Sequence, residues 1–396
     1  MSCQGDSGIH AKAKPRPFFP FRHDVHPTLG VSSYFGLKGV LEAVMRKPLL
    51  FLPGPMQVPE QVQIAGDRPL FNHRSPQMLE LLAKLETGCR PLFGTKGDVV
   101  FLASSGSGAM ESAVVNLTSP GEEIIVVVGG TFATRWADIG KAYGLNVHTI
   151  DVDWRRGVTL AEIEAGLKQW PNAEVVFHTW SESSTGVLND MPEIGKLIRS
   201  QDRIFVADAV SGLAVSPMSM DAWNIDLVIV GSQKGLMVSP GLGVVAIGSR
   251  AWEKSERSKT PRFYFDWKKL KGTVPFTPAL SLLFELDGAL DFIHSQGMDK
   301  IFSRRAQVAD RIRDLVRRSG MEIYALKPGN GITGVIPPKG FDMAALKRRL
   351  ESDFGIQIAG GLGKIKDTIF RIGHVGHVTD EELDYFIQSF ERCLAA

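Results

Sequence analysis

The sequence predicts an α/β protein: a large domain with a mainly parallel seven-stranded sheet between helices, followed by a smaller C-terminal α/β domain. Three observations carry this. Seven short runs rich in Val and Ile occur at 99–103, 124–128, 147–152, 175–178, 204–207, 227–230 and 244–247. Helical periodicity separates several of them, at 109–117, 133–143, 160–169 and 192–199. The tail then alternates both periods as β-β-α-β-β-α, at 322–325, 331–336, 343–353, 356–358, 369–373 and 381–394. Runs apolar throughout, alternating with helices, belong to parallel sheets covered on both faces.

In chain order, residues 1–48 carry Pro15, Pro17, Pro20 and Pro27 without periodicity, and are expected to form a loosely ordered N-terminal arm. Residues 49–275 are expected to form the large domain. Its last part, 251–277, interleaves basic residues from Arg257 to Lys271 with Phe263, Tyr264, Phe265 and Trp267, and reads as an irregular connector. Residues 276–320 hold two linking helices, at 279–295 and 299–319. Residues 321–396 form the small domain.

Apolar residues make up 44% and charged residues 22% of the 396, enough to bury a large core. A formal net charge of +2 offers no electrostatic case for nucleic acid. No apolar run approaches the ~20 residues that cross a bilayer, so no membrane is expected as a partner. Cys3, Cys89 and Cys393 are too scattered for a disulfide framework or a zinc site. A reducing cytoplasm and no metal fit this pattern.

In an open α/β sheet, ligands sit beyond the carboxyl ends of the strands. Three strand-end loops therefore matter. The first, Ser104-Ser105-Gly106-Ser107-Gly108, opens a helix. Its glycines allow close backbone approach, its hydroxyls donate, and a helix N-terminus favours an anion. Alone it is a phosphate cradle or a plain Gly/Ser turn. The second is Asp208, whose carboxylate at a buried strand end needs a cationic or donor partner. Alone it is equally a helix cap or a core ion pair. The third, Gly231-Ser232-Gln233-Lys234-Gly235, presents a lysine after an apolar strand. A buried lysine has a lowered pKa and suits Schiff-base chemistry, whereas an exposed loop lysine does not.

The order of the three narrows the choice. Pyridoxal phosphate needs an anchor for its phosphate, a carboxylate for its pyridine nitrogen and a lysine for its aldehyde. Asp208 precedes Lys234 by 26 residues, on what reads as an adjacent strand.

Further motifs lie between residues 53 and 374, within a likeness that runs from about 50 to 394: Pro53-Gly54-Pro55, Glu182-Ser183-Ser184-Thr185-Gly186-Val187 and Phe370-Arg371-Ile372-Gly373-His374. With these, the chain resembles class V (fold type I) pyridoxal-phosphate aminotransferases, in the group of alanine–glyoxylate and serine–glyoxylate (serine–pyruvate) aminotransferases. Phe265-Asp266-Trp267 and Phe276-Thr277-Pro278 look closer to the serine–glyoxylate branch.

The resemblance implies a role for each matching residue. Lys234 would hold the cofactor as a Schiff base and act as the proton-transferring base. Asp208 would pair with the pyridinium. Ser105, Gly106 and Ser107 would bind the phosphate, with Gln233 near it. Phe132 would stack on the ring, and Ser183 would bond the phenolic oxygen. Thr277 would reach the phosphate of a partner subunit, making the enzyme a homodimer. Arg371 would grip the substrate carboxylate, with Gly54 beside it. Read from the residues alone, His73-Arg74 before Ser75-Pro76 is either a site edge on the dimer interface, the preferred reading, or a helix start.

Two departures bear on specificity. Some relatives stack Trp where this chain has Phe132, and some carry His where it has Trp180. The expected reaction moves an amino group from alanine or serine to glyoxylate or pyruvate. One Arg for one carboxylate, with no second cationic clamp in view, favours such small substrates. The alternatives are a class V transaminase using ureidoglycine, aspartate or aminoethylphosphonate, a lyase or desulfurase, or a catalytically silent binding protein. A desulfurase would present a loop cysteine and a stacking His, and this chain shows neither.

Overall fold

The computed structural model describes residues 48–395, so all but the last residue of the expected N-terminal arm lies outside the described residues. The strands are, in chain order, β1 (Leu49–Phe51), β2 (Asp98–Leu102), β3 (Glu123–Val128), β4 (Asn146–Asp151), β5 (Val175–Thr179), β6 (Ser181–Glu182), β7 (Val187–Leu188), β8 (Ile204–Asp208), β9 (Leu227–Gly231), β10 (Gly243–Ile247), β11 (Glu322–Ile323), β12 (Ile332–Ile336), β13 (Ile356–Gly360) and β14 (Phe370–Gly373).

Seven of them form one sheet in the order β2-β10-β9-β8-β5-β3-β4. From β9 to β4 every neighbouring pair is parallel. β10 runs against both of its neighbours. The Val and Ile runs are long because both faces are covered. In β3, Ile125 and Val127 enter one apolar cluster while Ile124, Val126 and Val128 enter the other. That is the period-2 alternation of a strand with no wet side.

A second sheet of five strands runs β1-β13-β14-β12-β11. The helices Met298–Arg318, Met343–Phe354 and Asp380–Ala395 share a core with it through Ile312, Leu350, Phe386 and Phe390. Here the boundary at residue 49 shifts. β1 pairs in parallel with β13, Leu49 against Ile356 and Phe51 against Ile358. Residues 49–51 thus join the small sheet, not the large one. Phe51 stacks on Phe386 with ring centroids 4.0 Å apart.

The connector also differs from the sequence reading. It contains the helices Ser249–Arg257 and Trp267–Leu270. Asp266 caps the second by accepting from Lys268 N. Trp267 is fully buried and Asn116 Nδ2 donates to the Phe265 carbonyl at 2.6 Å, which pins the connector to the large domain. Its exposed basic side chains hid an amphipathic pattern. Of two further helices, Glu60–Gly66 has no counterpart in the sequence reading, and Pro76–Phe93, with Ser75 at its N-cap, matches the helix start that is the second reading of His73-Arg74.

Trp267→Ala should cost about 3–5 kcal/mol by thermal or denaturant unfolding, as buried aromatic truncations do. Phe263→Ala, in the same connector but 70% exposed, should stay within about 0.5 kcal/mol. Equal small losses would show that the connector is not part of the core.

Candidate active site

β8 and β9 are adjacent and parallel, so their carboxyl ends open side by side. Asp208 ends β8 and Lys234 follows β9 by three residues. Between them lies a cavity of about 220 Å³, lined by Gly54, Ser105, Gly106, Ser107, Phe132, Arg135, Ser183, Asp208, Gln233 and Lys234, among others. Nine of these ten come from the sequence reading; Arg135 does not.

Lys234 is 7% exposed. Its Nζ donates to the Pro53 carbonyl and, at 3.4 Å, meets Ser211 Oγ. Burial pulls its pKa down to about 8, with Asp208 opposing and Arg371 adding to the fall. The lysine is thus held next to Gly54. At φ +129°, and with a Cβ that would stand 2.5 Å from Lys234 Cε, position 54 admits glycine and little else.

Asp208 is 4% exposed. One oxygen accepts from Val210 N at 2.9 Å, and the other has no hydrogen-bond partner among the described residues. Burial pushes its pKa up to about 7, partly offset by the Val210 N–H. A carboxylate so placed awaits a cation.

The helix Gly106–Leu117 begins at the cavity wall. Its N-cap Ser105 makes no side-chain cap bond, leaving the first-turn N–H groups for an anion. Gln233 lines the same cavity and buries an Oε1 that has no partner among the described residues. Ser107 Oγ accepts from Arg135 Nη1 at 2.6 Å. Arg135 stands one helical turn after Phe132, with its guanidinium 5.0 Å from that ring. The expectation of no second cation is therefore corrected: i, i+3 spacing on the helix Thr131–Ala142 brings Arg135 into the cavity. That spacing was the signal available in the sequence.

Arg371 is 6% exposed on β14 of the small sheet. Nε donates to the Gly360 carbonyl at 2.7 Å and Nη1 to the Ser183 carbonyl at 2.8 Å. Its Nη2 has no partner among the described residues. Burial lowers its pKa to about 10, and it stays cationic at neutral pH. Ser183 Oγ bonds Ser211 Oγ. His374, the motif's last residue, is buried between Thr333 Oγ1 and the Asn330 carbonyl, each at 3.0 Å. Burial drops its pKa to about 3, so it is neutral and structural.

Other expected residues lie elsewhere. Thr277 is exposed in a separate apolar groove with Met78, Leu79, Tyr264 and Phe276. His73 and Arg74 do not line the Lys234 cavity. Trp180 is buried, edge-on to Trp223 at 5.6 Å.

The cavity suits pyridoxal phosphate. It offers an unpaired acid for a ring N–H⁺, a desolvated amine for an aldehyde, and hydroxyls with free helix N–H groups for a phosphate. Such a site at the strand ends of this sheet marks a fold type I enzyme. The class-V aminotransferase family model matches residues 67–384. The chain belongs to that family.

Individual relatives agree in extent and differ in name. A soluble hydrogenase small subunit from Synechococcus is 34% identical over 88% of this chain and 93% of its own length. Serine–glyoxylate aminotransferase from Arabidopsis thaliana is 32% identical over 84% and 87%. The crystal structure of alanine–glyoxylate aminotransferase from Nostoc superposes with a TM-score of 0.85, at 27% identity over 88% of this chain and 96% of that one.

The Asp208 carboxyl has a folded pKa above its ordinary value, so its contribution to stability is present at acid pH and is lost as pH rises towards 7. Cofactor-free Asp208→Asn should therefore be more stable than wild type at pH 8, by about 1–3 kcal/mol, and no more stable at pH 4. Melting curves across that range check the sign.

Proposed function

We propose that this aminotransferase carries pyridoxal phosphate on Lys234 and moves an amino group from alanine or serine to glyoxylate or pyruvate. The observation that carries the reading is the pairing of a buried lysine with an under-partnered buried acid at the ends of adjacent strands. Bound there, the cofactor supplies an electron sink that stabilises negative charge at the substrate α-carbon.

The chain's own residues do the rest. Lys234 Nζ, with a pKa near 8, takes the substrate's α-proton and returns it. Asp208, drawn into its ionised form by a ring N–H⁺, keeps that ring protonated. Ser105, Gly106, Ser107 and Gln233 hold the phosphate. Phe132 covers one face of the ring, and Ser183 bonds its phenolic oxygen. The open Nη2 of Arg371 receives the substrate carboxylate, a task suited to a planar guanidinium.

The name of the Synechococcus relative does not alter this reading, which is supported by the class-V family match and by a cavity that fits pyridoxal phosphate. A related donor such as aspartate is the second reading, and Arg135 is the observation in its favour. The enzyme acts as a homodimer in the cytoplasm. Thr277, exposed beside an apolar groove and away from its own subunit's cavity, faces the partner's phosphate.

Lys234→Ala should fold yet lose the visible absorption band of bound cofactor and all transamination; retained turnover would remove Lys234 from its role. Arg371→Ala should raise KM about 10–100-fold for both amino donor and 2-oxo acid, since one guanidinium serves both carboxylates. Mixing Lys234→Ala with Thr277→Ala chains should restore one native site per hybrid dimer. Activity no higher than that of Thr277→Ala alone would argue against a shared site.

A further inference from the structure

The helix Thr131–Ala142 carries Phe132 and Arg135 into the cavity, yet its N-cap, Gly130, has no side chain to cap it. The first N–H groups of a helix have no partner within it. A strap about fifty residues further on supplies the first three. Thr131 N donates to Ser184 Oγ at 3.0 Å. Phe132 N donates to Glu182 Oε1 at 3.3 Å, and Ala133 N to Glu182 Oε2 at 2.9 Å. The carboxylate is tied to its own strap as well, accepting from Ser184 N at 3.0 Å and Ser184 Oγ at 2.6 Å.

Glu182 is 2% exposed. No Lys, Arg or His among the described residues forms a salt bridge with it, so the helix N-terminus is its contacting positive partner, with Lys234 and Arg371 acting on it only at longer range. A Cβ on Gly130 would lie 2.2 Å from Glu182 Cγ and 2.6 Å from Oε2. Glycine at 130 leaves the room that the carboxylate fills. Glu182 itself does not line the Lys234 cavity.

We infer that Glu182 is a positioning residue: through this helix N-terminus it locks Phe132, the face of the ring slot, to Ser183, its edge. The inference rests on the pyridoxal-phosphate reading above and deepens it. The same strap reaches further, because the Ser183 carbonyl accepts from Arg371 and Ser183 Oγ bonds Ser211. Ring face, ring edge and carboxylate clamp are thereby held in one register. A shift of the strap would move all three.

The test compares Glu182→Gln, Phe132→Leu and the double variant, each first as cofactor-free protein by thermal melting. Added pyridoxal phosphate is then titrated by its visible band and by the circular dichroism of that band. Glutamine keeps the shape of Glu182 but sets an NH2 against a backbone N–H. It should weaken cofactor binding about 10–100-fold and reduce the dichroism. Added to Phe132→Leu it should cost no more than about twofold further, because the two act through one contact.

Fully additive losses, or a lower melting temperature with unchanged cofactor affinity, would overturn the inference and leave Glu182 a helix cap only. If Glu182→Gln does not fold, Ser184→Ala carries the same comparison. It removes both hydrogen bonds that the Ser184 hydroxyl makes among the described residues while keeping the carboxylate, and should weaken binding about threefold. A wild-type protein that binds no pyridoxal phosphate would instead overturn the cofactor reading, so the two failures are distinct.

Discussion

Everything in this molecule is arranged around an acid and an amine buried at the carboxyl ends of two adjacent parallel strands. Desolvation disfavours both charges: it raises the pKa of Asp208 and lowers that of Lys234. Nothing in the large domain relieves this fully. Asp208 has one N–H donor, and the lysine has a backbone carbonyl and a distant hydroxyl. A sheet covered on both faces supplies the depth, and the loops after β8 and β9 supply the approach. The cost is acceptable only if a ligand completes the pair, which is why the strand ends point so directly to a cofactor.

That constraint explains what was legible in the sequence. Strands buried on both faces must be apolar runs, which is why the inner strands stood out; the edge strand β4, half exposed with His148 and Thr149 inside it, showed only through Val147 and Ile150. Their order is enough to place Ser105, Asp208 and Lys234 in strand-end loops on one side of the sheet. Less visible were features fixed by distant partners. β1 is three residues long, too short to show a period, and its partner lies three hundred residues away. Trp267 sits among lysines, and only its complete burial reveals the connector as core. Arg135 needed the helix phase of Phe132. Glu182 was visible as part of a motif, but its task depends on a helix end that the sequence does not place beside it.

The small sheet reaches towards the site through Arg371, which stands outside the cavity lining, and through the turn after β1 that carries Gly54 into it. Arg371 comes from β14, and its Nη1 is anchored on the Ser183 carbonyl of the large domain's strap. Leu188 N adds a bond from the same strap to the Lys327 carbonyl. The clamp is therefore built across the join between the two sheets, and its position depends on the strap as much as on its own strand.

This bears on the choice of donor. Counting cations does not by itself favour monocarboxylic substrates, because Arg135 lines the cavity while Arg371 stands outside its lining, close enough to lower the pKa of Lys234. Placement speaks more clearly. Arg371 presents an open Nη2, whereas Arg135 is engaged with Ser107 Oγ in the phosphate turn and with the Phe132 ring. To meet a second substrate carboxylate, Arg135 would have to give up a 2.6 Å hydrogen bond and its place over an aromatic face. Its present position matches the phosphate end of the cavity. On that geometry one guanidinium, that of Arg371, remains open for a carboxylate while the other is committed to the phosphate turn.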